Sequence, residues 1–249
     1  MTSPFPDRLE PFDDTALRRV LAVVAHPDDM EYGGAAAVAV WRSRGVEVAY
    51  ALVTSGEAGI ATLPPAEAAP VREAEQREAC SRVGVSDLRF LGFPDGTVEY
   101  GVPLRRAIAA EVRRFRPDTV VTGAFRETWP GGMLNQADHV ATGRAVVDAA
   151  RDAGNRWLYP DLLDAGLEPW NGVRTVLALS SPLSTHAIDV THGFDAGVAS
   201  LEAHEQYLAA LGPDAQAPRA MLADMLSAAG ALVDVRYAVP TEVLRLHLY

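Results

Sequence analysis

The sequence predicts a three-layer α/β protein, and three observations support this. Short runs rich in Val, Ala and Leu alternate with helical patterns, as in parallel sheets that are covered on both faces. The chain has 249 residues, of which 49% are hydrophobic, so it can bury a large core. Neither a repeat nor a linker interrupts the pattern. We therefore expect a Rossmann-like domain with a mostly parallel sheet and helices on both faces. It spans residues 1–249 and has a core of about 18–153 and a C-terminal elaboration of about 154–249.

Five apolar runs are predicted to form the parallel strands because turn signals bound each of them. They are VLAVVA (20–25), VEVAYALVT (46–54), LRFLGF (88–93), DTVVTGA (118–124) and RTVLALS (174–180). The alternating run HAIDVTH (186–192) predicts a late strand, with an antiparallel orientation as one option. The ending EVLRLHLY alternates again and predicts an edge or C-terminal strand.

Helical patterns lie between and after these strands. They occur near residues 34–44, 70–83, 103–115, 138–152, 195–211 and 218–229. Two connections are too long for tight turns, namely residues 56–71 after the second strand and residues 125–136 after the fourth. Long loops of this kind often carry function, so the first is a candidate flap over an active site.

Composition excludes several classes of function. The formal net charge is −11, which argues against a nucleic-acid partner. Lysine is absent, so all 22 basic residues are Arg, and lysine-based Schiff-base or P-loop chemistry is excluded. No apolar run is long enough to span a membrane, and the acidic start lacks an apolar signal segment, so we expect a cytoplasmic protein. The lone Cys80 is expected to be buried and inert, and His204 to lie on a helix surface.

A histidine and two aspartates follow the first predicted strand, in the stretch His26-Pro27-Asp28-Asp29. Ligands collect at strand ends in α/β proteins, and imidazole and carboxylate both bind divalent metals such as zinc. His139 begins the helix after the fourth strand, on the same edge of the sheet. These residues predict an open metal site with His26, Asp29 and His139 as ligands and a water in the fourth position. The alternative is an ordinary turn in which an aspartate caps the next helix.

The stretch AHPDDMEYGG, followed by VTSGEAG, VREAEQREA, LGFPDG and ADHVATGRA, resembles the PIG-L/LmbE family. Its members are metal-dependent N-deacetylases that act on N-acetylglucosaminyl and related amides. The resemblance runs from about residue 20 to 153, with weaker similarity at 185–204. It implies an α/β fold, the same three metal ligands, and a general base at Asp28.

Further roles rest on the same resemblance. Asp138 is placed with Asp28 among the catalytic residues, where it would orient His139 or a neighbouring imidazole; capping its own helix is the alternative. The family's His-Pro-Asp-His reads here as Gln-Ala-Asp-His at 136–139, so a histidine that assists the oxyanion or leaving group is missing. Gln136 can donate a hydrogen bond there but cannot deliver a proton. His186 is the candidate replacement, with a structural histidine as the alternative.

Four more residues are expected to bind substrate. Arg72 matches a family position from which an arginine can hold a hydroxyl or phosphate oxygen, and a surface pair with Glu75 is the alternative. Asp95 either binds sugar hydroxyls or shapes a turn. Trp129 and Met133 lie in the loop before the third ligand, where an aromatic face suits a sugar ring or an acyl chain. Pinning that loop to the core is the alternative.

The sequence thus predicts a zinc-dependent hydrolase that removes an N-acetyl or other N-acyl group from an amino sugar or related small amide. Another divalent metal could replace zinc, and the apolar C-terminal helices could support a homo-oligomer. Two other classes stay open. One is a family member that binds a metal or sugar without turnover. The other is a non-haem iron oxygenase, which also uses two histidines and a carboxylate but whose usual scaffold is a β jelly roll.

Overall fold

The computed structural model describes residues 8–213 and 215–246. The eight strands within them form one sheet in the order β1-β7-β8-β6-β5-β2-β3-β4. They are β1 (Glu10–Pro11), β2 (Arg19–Val24), β3 (Glu47–Leu52), β4 (Asp87–Phe90), β5 (Thr119–Thr122), β6 (Thr175–Leu179), β7 (His186–Asp189) and β8 (Ala238–Arg245). The five runs expected to be parallel, β2 to β6, pair in parallel. The predicted α/β class is confirmed.

Helices cover both faces of the sheet. They are α1 (Gly34–Ser43), α2 (Pro65–Arg82), α3 (Val102–Phe115), α4 (Ala137–Asp152), α5 (Pro160–Asp164), α6 (Phe194–Glu202), α7 (Glu205–Ala210) and α8 (Pro218–Gly230). Alternate residues of a strand point to opposite faces. Leu21 and Val23 accordingly pack with α3 and α4, whereas Ala22 and Val24 pack with α1, α2, α6 and α8. None of these helices combines the length and apolar character needed to cross a membrane.

The strand order reverses at β2, and this reversal positions the site. The chain runs outward through β3 and β4 on one side of β2 and through β5 and β6 on the other. In doubly wound sheets, ligands bind in the crevice at the carboxyl ends of the strands where the order reverses. His26 follows β2 directly, and His139 lies in the first turn of α4, which follows β5. The fold therefore brings both predicted ligands to one crevice.

Three sequence expectations need correction. The predicted 56–71 loop is shorter, because α2 begins at Pro65, and proline is favoured in the first helical turn. The pattern at 195–211 splits into α6 and α7. For the ending EVLRLHLY, the C-terminal option is met, since β8 is the last strand of the described residues, but the edge option is not. Strand β8 lies between β6 and β7, antiparallel to both, and residues 247–249 of the stretch lie outside the described residues. The first five residues of β8 are buried, as an interior position requires.

Glycines allow the start of α6 to approach α1 closely. A Cβ atom at Gly193 would overlap the backbone carbonyl oxygen of Ala36, and one at Gly197 would lie 2.8 Å from the Ala36 Cβ atom. The obstacle at Gly193 is backbone, which cannot move aside as a side-chain end can. Larger residues are therefore excluded from this contact.

We expect Gly193→Ala to lower the free energy of unfolding by about 1–3 kcal/mol, as overpacking typically does. Urea denaturation measures the change. The control is Gly101→Ala, because Gly101 has an extended backbone and its Cβ atom would meet only Pro103, at 3.7 Å. That variant should change stability by less than about 0.5 kcal/mol. Equal losses in the two variants would contradict the packing argument.

Candidate metal centre and active site

In the turn after β2, the adjacent residues Asp28 and Asp29 contact different partners. Asp28 has a φ of 84°, a region that is costly for a residue with a Cβ atom. Two hydrogen bonds hold the turn: the His26 backbone N–H donates to Asp29 Oδ2 at 2.9 Å, and the Asp28 N–H donates to Gln76 Oε1 at 2.9 Å. As a result, Asp29 contacts the imidazoles, whereas Asp28 contacts Arg72.

Two imidazoles and one carboxylate converge as a triangle of metal-binding atoms. His26 Nδ1 lies 3.2 Å from His139 Nε2, which lies 3.0 Å from Asp29 Oδ1. Asp29 Oδ2 lies 3.6 Å from His26 Nδ1. Zinc–ligand distances of roughly 2.0–2.1 Å place neighbouring ligands of a tetrahedral site about 3.3 Å apart. The three side chains therefore fit a small divalent cation in both donor type and spacing.

The remaining ring nitrogens are held by other groups. His26 Nε2 faces Asp95 Oδ1 at 3.1 Å and Asp138 Oδ2 at 3.3 Å. His139 Nδ1 lies 2.9 Å from Asn135 Oδ1. When these nitrogens carry the protons and donate to the oxygens, His26 Nδ1 and His139 Nε2 keep their lone pairs for a metal. Such partners commonly fix the orientation of metal-binding histidines.

The two carboxylates behind His26 are themselves anchored by backbone amides. Asp138 accepts hydrogen bonds from the N–H groups of Gly96 at 2.7 Å and Val98 at 3.0 Å. Asp95 accepts one from the N–H of Ala58 at 2.7 Å. The hydrogen bonds of Asp138 thus go to amides outside its own helix and to His26. Both carboxylates thus sit where they orient His26, an arrangement in which Asp138 serves this imidazole rather than its neighbour His139.

Electrostatics at the triangle favour positive charge. Burial works against a charged His26, but Asp29, Asp138 and Asp95 outweigh it and raise the pKa of that imidazole to about 12. Burial tends to raise the pKa of Asp29, yet His139 and His26 hold it well below the ordinary value. Three carboxylates thus surround two imidazoles, and a bound cation would balance this excess of negative charge.

Asp28 is a buried acid beside the triangle but outside it. Burial raises its pKa to about 6, although the Arg72 guanidinium opposes that change. Arg72 Nη2 lies 3.4 Å from Asp28 Oδ2 and donates to the Pro27 carbonyl oxygen at 2.6 Å. Arg72 is buried, and the surface pair with Glu75 that the helical spacing offered is not formed. The guanidinium instead supports the turn that carries Asp28.

The loop before the third ligand forms a narrow hairpin over residues 128–134. The Trp129 N–H donates to the Met133 carbonyl oxygen at 2.7 Å, and paired residues of a hairpin project from the same face. The Trp129 ring packs edge-on against His139, with ring centroids 5.7 Å apart. Met133 is 68% exposed. The hairpin therefore places the Trp129 ring beside the triangle and leaves Met133, its paired residue, exposed.

Two expected substrate residues make no side-chain hydrogen bond to this group within the described residues. Gln136 is exposed at the start of α4. His186 contacts Thr185 Oγ1 at 2.8 Å and Glu10 at 3.6 Å. It begins β7, and three strands (β5, β6 and β8) lie between β7 and β2. His186 is therefore separated from His26 across the width of the sheet.

His204 is not on a helix surface, as the sequence suggested, but completely buried. It ends the link between α6 and α7 and lies between two buried carboxylates, 3.7 Å from Glu31 and 3.9 Å from Glu75. Sequence reasoning also missed Asn135, although its place four residues before His139 at a helix start was a usable signal. Cys80 is buried, as expected, and burial is the main cause that raises its pKa to about 12.

Comparison with known proteins identifies related sequences. The sequence profile described as PIG-L, GlcNAc-PI de-N-acetylase, matches residues 21–150. A probable N-acetyl-alpha-D-glucosaminyl L-malate deacetylase 2 of Bacillus anthracis is 36% identical over 139 residues, covering 53% of this chain and 59% of the relative. A 1D-myo-inositol 2-acetamido-2-deoxy-alpha-D-glucopyranoside deacetylase of Kineococcus radiotolerans is 35% identical over 190 residues, covering 61% and 49%. The chain thus spans about half to three-fifths of the length of these relatives.

Solved structures extend the similarity of fold to nearly the whole chain. An N,N'-diacetylchitobiose deacetylase from Pyrococcus horikoshii aligns with a TM-score of 0.82 at 23% identity, covering 96% of this chain and 88% of the other. A conserved protein from Thermus thermophilus aligns with a TM-score of 0.73 at 27% identity, covering 92% and 96%. The C-terminal strands and helices therefore belong to the shared fold.

We expect the purified chain to bind about one divalent metal ion, and His139→Ala to abolish that binding, because it removes one of three ligands. Elemental mass spectrometry after zinc reconstitution measures the metal content. The matched control is His186→Ala, which removes an imidazole outside the triangle and should leave the metal content unchanged. A metal content that is the same in all three proteins would contradict the assignment.

Asn135→Ala should weaken metal affinity about 10-fold or more, since it frees the His139 ring while leaving all three ligands in place. Competition with a fluorescent zinc chelator measures the affinity. Gln136→Ala, at the next and exposed position, is the control and should bind as the unmodified protein does. If both variants bind equally well, Asn135 does not orient His139.

Proposed function

The chain belongs to the PIG-L family of de-N-acetylases, and from this premise we propose that it is a metal-dependent hydrolase of N-acetylated amino sugars. It would release the acetyl group as acetate and leave a free amine. The observation that carries the proposal is the placement of Asp28, a buried carboxylate beside the triangle that contributes no atom to it. A site built only to hold a metal has no need for this group.

Zinc is the proposed metal, held by His26, Asp29 and His139. Two nitrogens and one oxygen match its preferred ligands, and three protein ligands leave a position open for the reaction. When bound there, zinc would supply Lewis acidity, which polarises an amide carbonyl and acidifies water. Asp95 and Asp138 would keep the His26 ring in the tautomer that the ligand role requires.

Asp28 is proposed as the general base and then the general acid. A carboxyl group with a pKa of about 6 is largely ionised at neutral pH and is a stronger base than an exposed carboxylate. Its carboxylate would take the proton of the attacking water and return it to the amine nitrogen as the C–N bond breaks. Arg72 is proposed to hold this carboxylate in place rather than to bind substrate, because its guanidinium is buried.

Two lines of support suggest an N-acetylated amino sugar as the substrate: the names of the related proteins and the side chains beside the triangle. The names of the relatives above describe substrates that share a 2-acetamido sugar. The Trp129 ring lies beside His139, where an aromatic face can pack on a sugar ring. The exposed Met133, paired with Trp129 in the hairpin, is proposed to add an apolar contact. Asp95 faces His26 instead of the open side, so it is not proposed as a sugar ligand. Gln136 and His186 have no proposed role.

No observation favours the iron oxygenase, whose usual jelly-roll scaffold differs from this doubly wound sheet. No observation favours a binding protein without turnover either. The test is formation of free amine from N-acetylglucosamine, its chitobiose and its α-glycosides by the zinc-loaded protein. Hydrolysis of at least one supports the proposal. Stoichiometric zinc without hydrolysis of any N-acyl sugar or small amide would indicate binding alone.

Asp28→Asn should keep the metal and lose about 10²–10⁴-fold in kcat, since an amide cannot accept the proton. The assay is free-amine formation beside elemental analysis of the same sample. Asp195→Asn changes a highly exposed carboxylate on α6 and serves as the control, with kcat unchanged. An Asp28→Asn variant with full activity would remove the base assignment.

A further inference from the structure

A chain of buried polar groups begins at the backbone of Asp28. Gln76 accepts the Asp28 N–H and donates from Nε2 to Glu31 Oε1 at 3.3 Å. Ser200 Oγ on α6 lies 3.2 Å from Glu31 Oε1 and 2.9 Å from the Ala79 carbonyl oxygen on α2. Glu31 and Ser200 are completely buried. Because buried polar groups hold fixed positions when they are paired, this chain ties the turn after β2 to α2 and α6.

The chain continues through His204 to the start of α7. His204 Nε2 faces Glu31 and Nδ1 faces Glu75, at the distances given above. Glu75 Oε1 in turn accepts the backbone N–H groups of Gln206 at 2.5 Å and Tyr207 at 3.4 Å. These are free N–H groups of a first helical turn, which need outside acceptors. A side chain of α2 therefore caps α7 and sets its position.

Tyr207 connects the far end of this series of buried groups back to Asp28, through Arg72. The Arg72 guanidinium lies over the Tyr207 ring, with its Cζ atom 3.8 Å from the ring centroid. Arg72 Nε and Nη1 are buried and make no hydrogen bond. The guanidinium is thus held by Pro27 and Asp28 on one side and by the aromatic face on the other. Stacking of this kind is attractive and directional.

We propose that Tyr207 is a positioning residue: its ring holds Arg72 against Pro27 and Asp28 and so fixes the base in working geometry. This inference rests on the proposed function, because it assigns Tyr207 to the alignment of the proposed base. The strained backbone at Asp28 requires such support, since a costly conformation persists only where its surroundings determine it. The support comes from α7, in the C-terminal part of the chain, through a buried histidine and a cap from α2.

In this proposal the aromatic face of Tyr207 holds Arg72 in place. Substitutions at residue 207 should therefore affect kcat according to whether they keep a flat ring. Tyr207→Phe keeps the face and should retain kcat within about 3-fold. Tyr207→Leu removes it and should lower kcat about 10- to 100-fold, as small misplacements of catalytic groups do. KM should stay within about 3-fold and zinc content should be unchanged. Leu211→Ala, at the exposed end of α7, is the control with unchanged kcat.

Three kinetic results would overturn the inference: full kcat in the leucine variant, equal impairment of the phenylalanine and leucine variants, or a change in KM alone. Equal impairment would assign the role to the Tyr207 hydroxyl, which contacts Asp28. If the leucine variant does not fold, Tyr207→Met tests the same loss of the ring with a flexible apolar side chain.

Hydrogen exchange of the zinc-loaded proteins separates this inference from the proposed function. Peptides that cover residues 26–34 should exchange faster in Tyr207→Leu than in the unmodified protein, and Tyr207→Phe should match the latter. Unchanged exchange in the leucine variant would overturn the positioning role. If the unmodified protein hydrolyses no substrate, the proposed function fails, while the exchange comparison still decides whether Tyr207 holds the turn.

Discussion

The contact between the Asp29 carboxylate and the imidazoles of His26 and His139 is the interaction on which the rest of the site depends. It joins the end of β2 to the start of α4 across the crevice where the strand order reverses. The carboxylate contributes a negative charge and the two imidazoles contribute nitrogen lone pairs, and a divalent cation can engage all three. The carboxylates behind His26 and the amide of Asn135 are then explained as the groups that aim the ring nitrogens inward.

The same contact explains why the neighbouring aspartates differ. Adjacent residues on a regular strand or helix would not give one carboxylate to the imidazoles and the other to Arg72. The reversed φ of Asp28 allows the separation, and burial away from the imidazoles raises the pKa of Asp28 while that of Asp29 falls. Two identical side chains in sequence thus acquire different surroundings, which suit the proposed ligand role of Asp29 and the proposed proton-transfer role of Asp28.

The sequence predicted the parts of this arrangement that depend on local pattern. Strand runs and helical periodicity placed His26 and His139 on one sheet edge, because carboxyl ends of parallel strands share an edge. The family resemblance contributed Asp28 and Asp138. It could not place His186, whose strand is separated from β2 by three others, nor predict that β8 lies inside the sheet. The buried position of His204 depends on Glu31 and Glu75, which lie 173 and 129 residues earlier in the numbering, and no local pattern reports such a contact.

These long-range contacts indicate that the C-terminal part of the chain does more than cover the sheet. If it only covered the sheet, α6 and α8 would suffice, since both pack into the core through apolar residues. The link at His204 instead brings a buried imidazole beside two buried carboxylates, Glu31 and Glu75. Burial of such groups is costly unless they are paired or hydrated. These buried groups lie behind the strained turn at Asp28, and in our proposal they help to hold that turn in place. A substitution in α7 can therefore alter the geometry of Asp28 without touching a metal ligand or the substrate.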